Sequence, residues 1–350
     1  MIDTKRLISQ LCSIMSVTGY ESRGKDELIS LISPYFDRVY EAVGGSYVAV
    51  KYCGRENAPR LMLDAHFDEI GMIVTDILPG GYLSFSHMGG LDRRIMPAAE
   101  VYIYGSERLY GVICSKPPHL QKPGESKKLP ALDEMLIDTG YSEEELRKIV
   151  KIGDAIGFYE GTAELLRGRI CGRSMDNKAC CAAAIIAAAD TEKEKMECDL
   201  YVVLSSREEE SLAGGCVTAA YDIDPHVAIV TDVTFARFPG VEAYESAKMG
   251  EGAAISLSAV TDRALTDKLI SLSEEAGLSL QKTVDAENTG TNATALTLCG
   301  DGIPCAVVSV PLSCMHTYNE IIDTCDVETA AKLFSLAICS REIFGEEAGK

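Results

Sequence analysis

The chain predicts an α/β protein: a mostly parallel sheet covered by helices, its sequence interrupted by a β-rich module. Three observations carry that expectation. From residue 169 onward, β-like apolar runs alternate with stretches of helical periodicity, the pattern of a parallel sheet with helices on its faces. Between about residues 70 and 165 the texture changes to short β-rich pieces separated by glycines, as in a small barrel or sandwich. The residues before 70 again mix helix and strand. The α/β unit is therefore expected to be discontinuous, spanning 1–69 and 166–350, with 70–165 inserted.

Taken in order, helical spacing marks residues 4–16 and 22–36, on either side of a turn at Thr18 and Gly19. The segments SYVAVKY and LMLDAHF then read as an antiparallel strand pair. In the inserted module, GMIVTDIL, YLSFSHM, EVYIYG and RLYGVIC are strands. SKPPHLQKPGESKKLPAL, with four prolines and several lysines, reads as an exposed, mobile loop, and EEELRKIV as a short charged helix. A helix is expected from Asn177 to Lys195, followed by a strand at DLYVVLSS, a helix at LAGGCVTAAYDI and a strand at VAIVTDV. Helices at ALTDKLISLSEEAGL and NATALTLCGDG, a strand at CAVVSVP and a helix at DVETAAKLFSLAICSREIF complete the chain.

Composition narrows the function classes. With 350 residues, 47% of them hydrophobic, the chain can bury a sizeable core. A formal charge of −20 argues against nucleic acid, whose phosphates would be repelled. The N-terminal segment MIDTKRLISQLCSIMSVTGYES has no signal-peptide core. The longest apolar run, ACCAAAIIAAAD, is too short to span a bilayer, so a soluble, cytoplasmic protein without a membrane partner is expected. The thirteen cysteines are odd in number, form no CxxC pair and often fall inside apolar runs, as at Cys171, Cys180, Cys181, Cys305 and Cys339. They read as reduced, buried thiols.

The chemistry lies at the ends of the apolar runs. His66 and Asp68 sit in LMLDAHFDEIGMIV, Asp176 in GRSMDNKACCAAA, Glu208 and Glu209 in VVLSSREEESLAGG, Asp232 in VAIVTDVTFA and His316 in VVSVPLSCMHTYNEIID. In parallel sheets ligands collect beyond the carboxyl ends of the strands, so these scattered residues could converge. Imidazole and carboxylate together are donors for Zn²⁺ or a similar divalent ion, with one glutamate spare as a base. If extended, His66-Phe67-Asp68 puts both polar side chains on one face, and Asp68 becomes a candidate to orient the ring; the plain reading is a polar strand end. Asp176 reads as a helix N-cap, as a carboxylate bridging two cations, or as both. Glu208, Glu209 and Glu210 form either a solvated cap or a cation-bound set. In the second case one acid coordinates while its neighbour faces the reacting water. His87, His119 and His226 are assigned to turns and loops as structural or surface residues.

The joint order, His-x-Asp, Asp, Glu-Glu, Asp, His, resembles the co-catalytic zinc exopeptidases. More closely it resembles the metallo-aminopeptidases that include TET peptidases and glutamyl aminopeptidases, some labelled endoglucanases. GVICSKPPHL, IGDAIGF, GRSMDNKA, SREEESLAGG, GTNATALTL and MHTYNEIIDTCDVETAAKL are similar to that family's landmarks, and the likeness covers nearly the whole chain. It implies a zinc-exopeptidase-like α/β/α catalytic domain with an inserted barrel-like dimerisation domain. It also implies two divalent ions, zinc first and cobalt as the alternative. His66, Asp176 and Asp232 would hold one; Asp176, Glu209 and His316 would hold the other, with Asp176 bridging. Glu208 would be the general base and Asp68 the orienter of His66. The partners implied are short peptides and further copies of the chain, as a dimer or a dodecamer.

Four departures stand out. Asp176-Asn177-Lys178 replaces Asp-Asp-Arg, Glu210-Ser211 follows the glutamate pair in place of an aliphatic residue and glycine, Asn292 replaces an aspartate, and Cys314 an arginine. They bear on the substrate pocket and the assembly, and none removes a metal ligand. The leading expectation is an aminopeptidase. The alternatives are another metal-dependent hydrolase, such as a deacylase or a glycosidase whose paired carboxylates would leave both histidines idle, and a catalytically weak assembly or binding protein.

Overall fold

The computed structural model describes residues 2–122, 128–159, 161–210, 214–286 and 289–345. The chain opens with α1 (Thr4–Ser13), α2 (Lys25–Ile32), β1 (Arg38–Glu41), β2 (Tyr47–Lys51) and β3 (Arg60–His66). Six strands, β4 (Gly71–Leu78), β5 (Tyr82–Met88), β6 (Glu100–Tyr104), β7 (Arg108–Ser115), β8 (Met135–Asp138) and β9 (Ala155–Phe158), then close into a barrel, with α3 (Glu143–Ile149) before the last of them. Alternate barrel residues such as Met72, Val74, Leu83, Val101 and Ile103 fill its own apolar core.

The chain returns through β10 (Thr162–Glu164), β11 (Arg169–Gly172), α4 (Met175–Asp190), β12 (Asp199–Ser205), α5 (Cys216–Ile223) and β13 (Val227–Phe235). It finishes with β14 (Ala254–Ser258), α6 (Arg263–Glu275), β15 (Gln281–Asp285), α7 (Ala293–Leu296), β16 (Cys305–Ser313), β17 (Glu320–Asp323) and α8 (Thr324–Ile338). Eleven strands make one sheet. Nine run side by side in the order β1-β2-β12-β3-β13-β16-β17-β11-β10, while β14 joins β16 and β15 joins β14. At its centre β12, β3, β13 and β16 are parallel. Their runs are buried on both faces, as expected of strands covered by helices.

The α/β sheet and the barrel agree with the expected fold class. The expected pairing of SYVAVKY with LMLDAHF does not hold. β12 lies between β2 and β3, antiparallel to the first and parallel to the second. The connector from residue 52 to 59 far exceeds a tight hairpin turn, so local pattern did not constrain the two strands to be neighbours. The helix expected to reach Lys195 ends at Asp190, where Lys51 Nζ donates to the carbonyls of Ala188 and Thr191 and so completes its carboxyl end. The helix expected over residues 292–302 shrinks to Ala293–Leu296, ahead of Gly300 and Gly302 at positive φ.

The small side chains of α4 let it sit against α1, α8 and the sheet with almost no exposed surface. All thirteen cysteines are free, but Cys314 and Cys325 are exposed, against the expectation of buried thiols. Part of the proline-rich loop, residues 123–127, lies outside the described residues. Among the described residues no helix is long and apolar enough to cross a membrane.

Candidate active site

Parallel register brings the predicted residues to one edge of the sheet. His66 ends β3 and is level with Ser205 of β12, just before Glu208 and Glu209. Val230 of β13 is level with Asp64, so Asp232 comes level with His66. Asp232 is in turn level with Ser309 of β16, the strand that leads to His316. Asp176 enters from the start of α4, where its backbone (φ −77°, ψ 101°) is not yet helical and its peptide bond to Asn177 is cis.

Six of the seven side chains face one cleft of about 760 Å³; Asp68 lies behind His66. His66 Nε2 is 3.0 Å from Asp176 Oδ1 and 3.6 Å from Asp232 Oδ1. His316 Nε2 is 3.6 Å from Asp176 Oδ2 and 3.6 Å from Glu209 Oε2. The two oxygens of Asp176 thus face different histidines. Two ligands about 2.0–2.1 Å from a tetrahedral ion lie roughly 3.3 Å apart, and the observed separations bracket that value. The donor set fits a divalent ion: ligand atoms of His66, Asp176 and Glu209 all lie within 4.8 Å of one another.

Asp68 is fully buried. Its carboxylate accepts from the N–H groups of Glu208 and Glu209, while its backbone carbonyl is the hydrogen-bond partner of His66 Nδ1 at 3.1 Å and its Oδ1 lies 3.5 Å from the same nitrogen. It therefore serves the ring and the glutamate loop together. Glu21 braces the same loop, accepting from the N–H of Arg207 at 3.0 Å. Ser174, Arg207, Cys314 and His316 all adopt positive φ. Such left-handed non-glycine backbone costs about 1–3 kcal/mol each and is characteristic of functional sites.

Electrostatics also call for a cation. Burial works against a charged His66, but Asp232, Asp176 and Asp68 outweigh it and lift its pKa well above the usual value. Burial, reinforced by Asp232, Asp68 and Asp176, pushes Glu208 up to about 8. Burial and the neighbouring Asp176 raise Glu209 strongly as well. A bare cluster of this kind holds protons that a divalent ion would displace.

Two contributors escaped the sequence reading. Glu320 accepts from the N–H of Asp176 and of His316, tying two candidate ligands together. Its signal was its place four residues after His316. Glu69 forms a buried ion pair with Arg173 behind the site. Of the remaining histidines, His87 lies in β5 rather than a turn, His119 in an exposed turn, and His226 accepts from the N–H of Arg60.

The barrel meets the site through Gly89 and Gly90, which follow β5. Glu210 accepts from the Gly89 N–H, and a Cβ on Gly90 would come within 2.7 Å of His316 Nδ1. Gly90→Ala is expected to displace the His316 ring and cut turnover by about tenfold or more, since misplacement of about 1 Å is costly in an active site. Unchanged kcat with His316 in place in a crystal structure of the variant would refute that.

Comparison with known proteins decides the lineage. The model of the M42 glutamyl aminopeptidase family matches residues 45–333. The chain belongs to the M42 family. It is therefore a peptidase, a hydrolase of the aminopeptidase class. A lysyl aminopeptidase of Pyrococcus furiosus is 29% identical over 95% of this chain and 96% of its own. The TET aminopeptidase of the marine sediment archaeon Thaumarchaeota archaeon SCGC AB-539-E09 superposes with a TM-score of 0.89 at 27% identity, covering 97% and 96% of the two chains. The TET1 peptidase of Pyrococcus horikoshii, described as assembling into a tetrahedron or a large octahedral shell, gives 0.85 at 27%, covering 96% and 99%.

Three of the residues that the resemblance marks as departures, Asn292, Lys178 and Asn177, have local partners. Asn292 donates its amide to Asp64 Oδ2 at 2.8 Å and to Ser205 Oγ at 2.9 Å, which suits a buried carboxylate better than a second acid would. Lys178, fully buried, donates to Ser16 Oγ at 2.5 Å and lies 3.2 Å from the Phe67 ring centroid. Asn177 donates to the Thr231 carbonyl. Cys314 is exposed, and nothing in the structure explains it; Ser211 lies outside the described residues.

Proposed function

We propose that this M42 peptidase removes N-terminal residues from short peptides using two divalent ions, zinc or cobalt. His66, Asp176 and Asp232 would hold one ion, and Asp176, Glu209 and His316 the other. What supports this reading most is the placing of Asp176, with one oxygen toward each histidine. When bound, the ions would polarise the scissile carbonyl and lower the pKa of the attacking water. Glu208, on the cleft wall, takes the water's proton on its carboxylate and returns it to the departing amine. Asp68 holds the His66 ring through its carbonyl and carboxylate and, through one N–H bond each, the backbone of Glu208 and of Glu209. The acidic lining receives the substrate's free ammonium, which confines cleavage to the first peptide bond.

Exhaustive chelation is expected to abolish hydrolysis of aminoacyl-p-nitroanilides, and added zinc or cobalt to restore it. Full activity in protein shown by elemental analysis to be metal-free would overturn the proposal.

We also propose that residues 1–69 and 166–350, joined by β10 (Thr162–Glu164), which pairs into the same sheet ahead of the boundary expected at 165, act as the catalytic unit and the barrel from residue 70 to Phe158 as the dimerisation unit of a homo-oligomer. The shells formed by the TET1 relative support this. Light scattering should give a mass of a dimer or a dodecamer rather than the 37.7 kDa of one chain. A reducing, cytoplasmic location is supported by the thirteen unpaired thiols.

A further inference from the structure

The cleft extends past the reaction centre into a part of the wall that the proposed mechanism does not use. There it is lined by Phe235, Tyr244, Glu245, Asp285 and Ala286. Phe235 continues β13 beyond Asp232, and the Tyr244 carbonyl accepts from the N–H of Val284, so the segment carrying Glu245 is laid against β15 and Asp285. Phe235 and Tyr244 are half-exposed, leaving their ring faces to the cleft and solvent.

Charge distinguishes this wall. Six carboxylates line the cleft, Asp176, Glu208, Glu209, Asp232, Glu245 and Asp285, and no lysine or arginine does among the described residues. Two divalent ions would offset four of those charges and a substrate ammonium a fifth, which leaves the far wall negative. Three basic side chains on neighbouring segments have partners of their own. Arg263, which with Asp285 is among the residues lining the adjoining depression, pairs with Asp267 at 3.0 Å. Arg237 donates to the carbonyls of Ala243 and Ser246, and Lys248 pairs with Glu251 at 3.0 Å. Asp285 accepts one hydroxyl, from Ser256, and a carboxylate has room for several donors.

We propose that Asp285 and Glu245 select a basic N-terminal residue, lysine or arginine, whose aliphatic stem lies along Phe235 and Tyr244 while its cationic head meets the two carboxylates. A glutamyl side chain, by contrast, would add a further negative charge to a wall with no cation to receive it. The inference rests on the aminopeptidase reading above and adds the substrate class to it.

The test is a kcat/KM panel of lysyl, arginyl, norleucyl, leucyl and glutamyl p-nitroanilides with the metal-loaded enzyme, norleucine being the uncharged match for the lysine stem. Lysyl and arginyl substrates should exceed norleucyl by about tenfold or more, the range expected of a charge-assisted hydrogen bond, and glutamyl by more still. In Asp285→Asn or Glu245→Gln the lysyl-to-norleucyl ratio should fall by at least about fivefold in one or both, whatever happens to absolute rates. A wild-type preference for glutamyl, norleucyl or leucyl substrates overturns the proposal. So does a ratio unchanged in both variants. Failure to turn over any substrate overturns the aminopeptidase reading itself, and this inference with it. Should a variant not fold, the wild-type ratios alone decide.

Discussion

Glu208→Gln is expected to lower kcat by about 10²–10⁴-fold, the usual worth of a general acid–base group, while metal content stays at the wild-type level. The geometry separates the two readouts. Glu208 lines the cleft, but the histidine–carboxylate contacts that define the donor set involve Asp176, Glu209 and Asp232. The glutamine keeps the shape of the side chain and can still stand near the water, but it cannot accept a proton at neutral pH. Its backbone N–H, bonded to Asp68, is untouched, so the loop keeps its form. Metal analysis and steady-state kinetics on the same preparation check this. Near-normal turnover would remove the base assignment; loss of metal together with activity would make Glu208 a ligand instead.

The largest effect on stability is expected from Glu69→Gln. Glu69 is 3% exposed and pairs with Arg173, itself 2% exposed, while accepting from the Ser16 N–H. Among the described residues, the Arg173 Nε and Nη2 atoms already have no hydrogen-bond partner. Neutralising Glu69 would strand a buried guanidinium, and breaking such a pair typically costs about 3–5 kcal/mol. The pH dependence has a definite sign. Burial tends to raise the Glu69 carboxyl, but Arg173 and Lys178 outweigh it and hold the pKa below its ordinary 4.5. A depressed carboxylate stabilises the folded state fully above 4.5, and that contribution fades as pH falls through the folded pKa. The gap between wild type and variant in denaturant titrations should therefore be widest at pH 6–8 and narrow below about 4.5. A gap that is flat with pH, or below about 1 kcal/mol, would mean that the pair contributes little.

Much of the site was legible because its residues terminate strands, and strand ends are marked in sequence by apolar runs stopping at a polar residue. His66, Asp232 and the Glu208-Glu209 pair were found that way, and register then brings them together. The neighbour relations of the sheet were less legible. Nothing local in Tyr47–Lys51 or Arg60–His66 says that a strand from residue 199 will come between them, since pairing over that separation is decided by the whole fold. Short strands carrying much polar sequence, such as Gln281–Asp285 and Glu320–Asp323, gave no usable alternation. Glu320 and Glu69 were hidden for another reason. A buried acid whose work is to accept from N–H groups or pair with an arginine looks, in sequence, like any surface glutamate.

The glycine pair at the rim of the barrel has a wider meaning for how such a protein can change over time. Because Gly89 is tied to the glutamate loop and Gly90 leaves no room beside an imidazole, the accessory lobe is mechanically keyed to the reaction centre. Drift in the lobe that shifts this rim would be screened by loss of turnover, so selection on chemistry also constrains a lobe that supplies none of the candidate metal ligands.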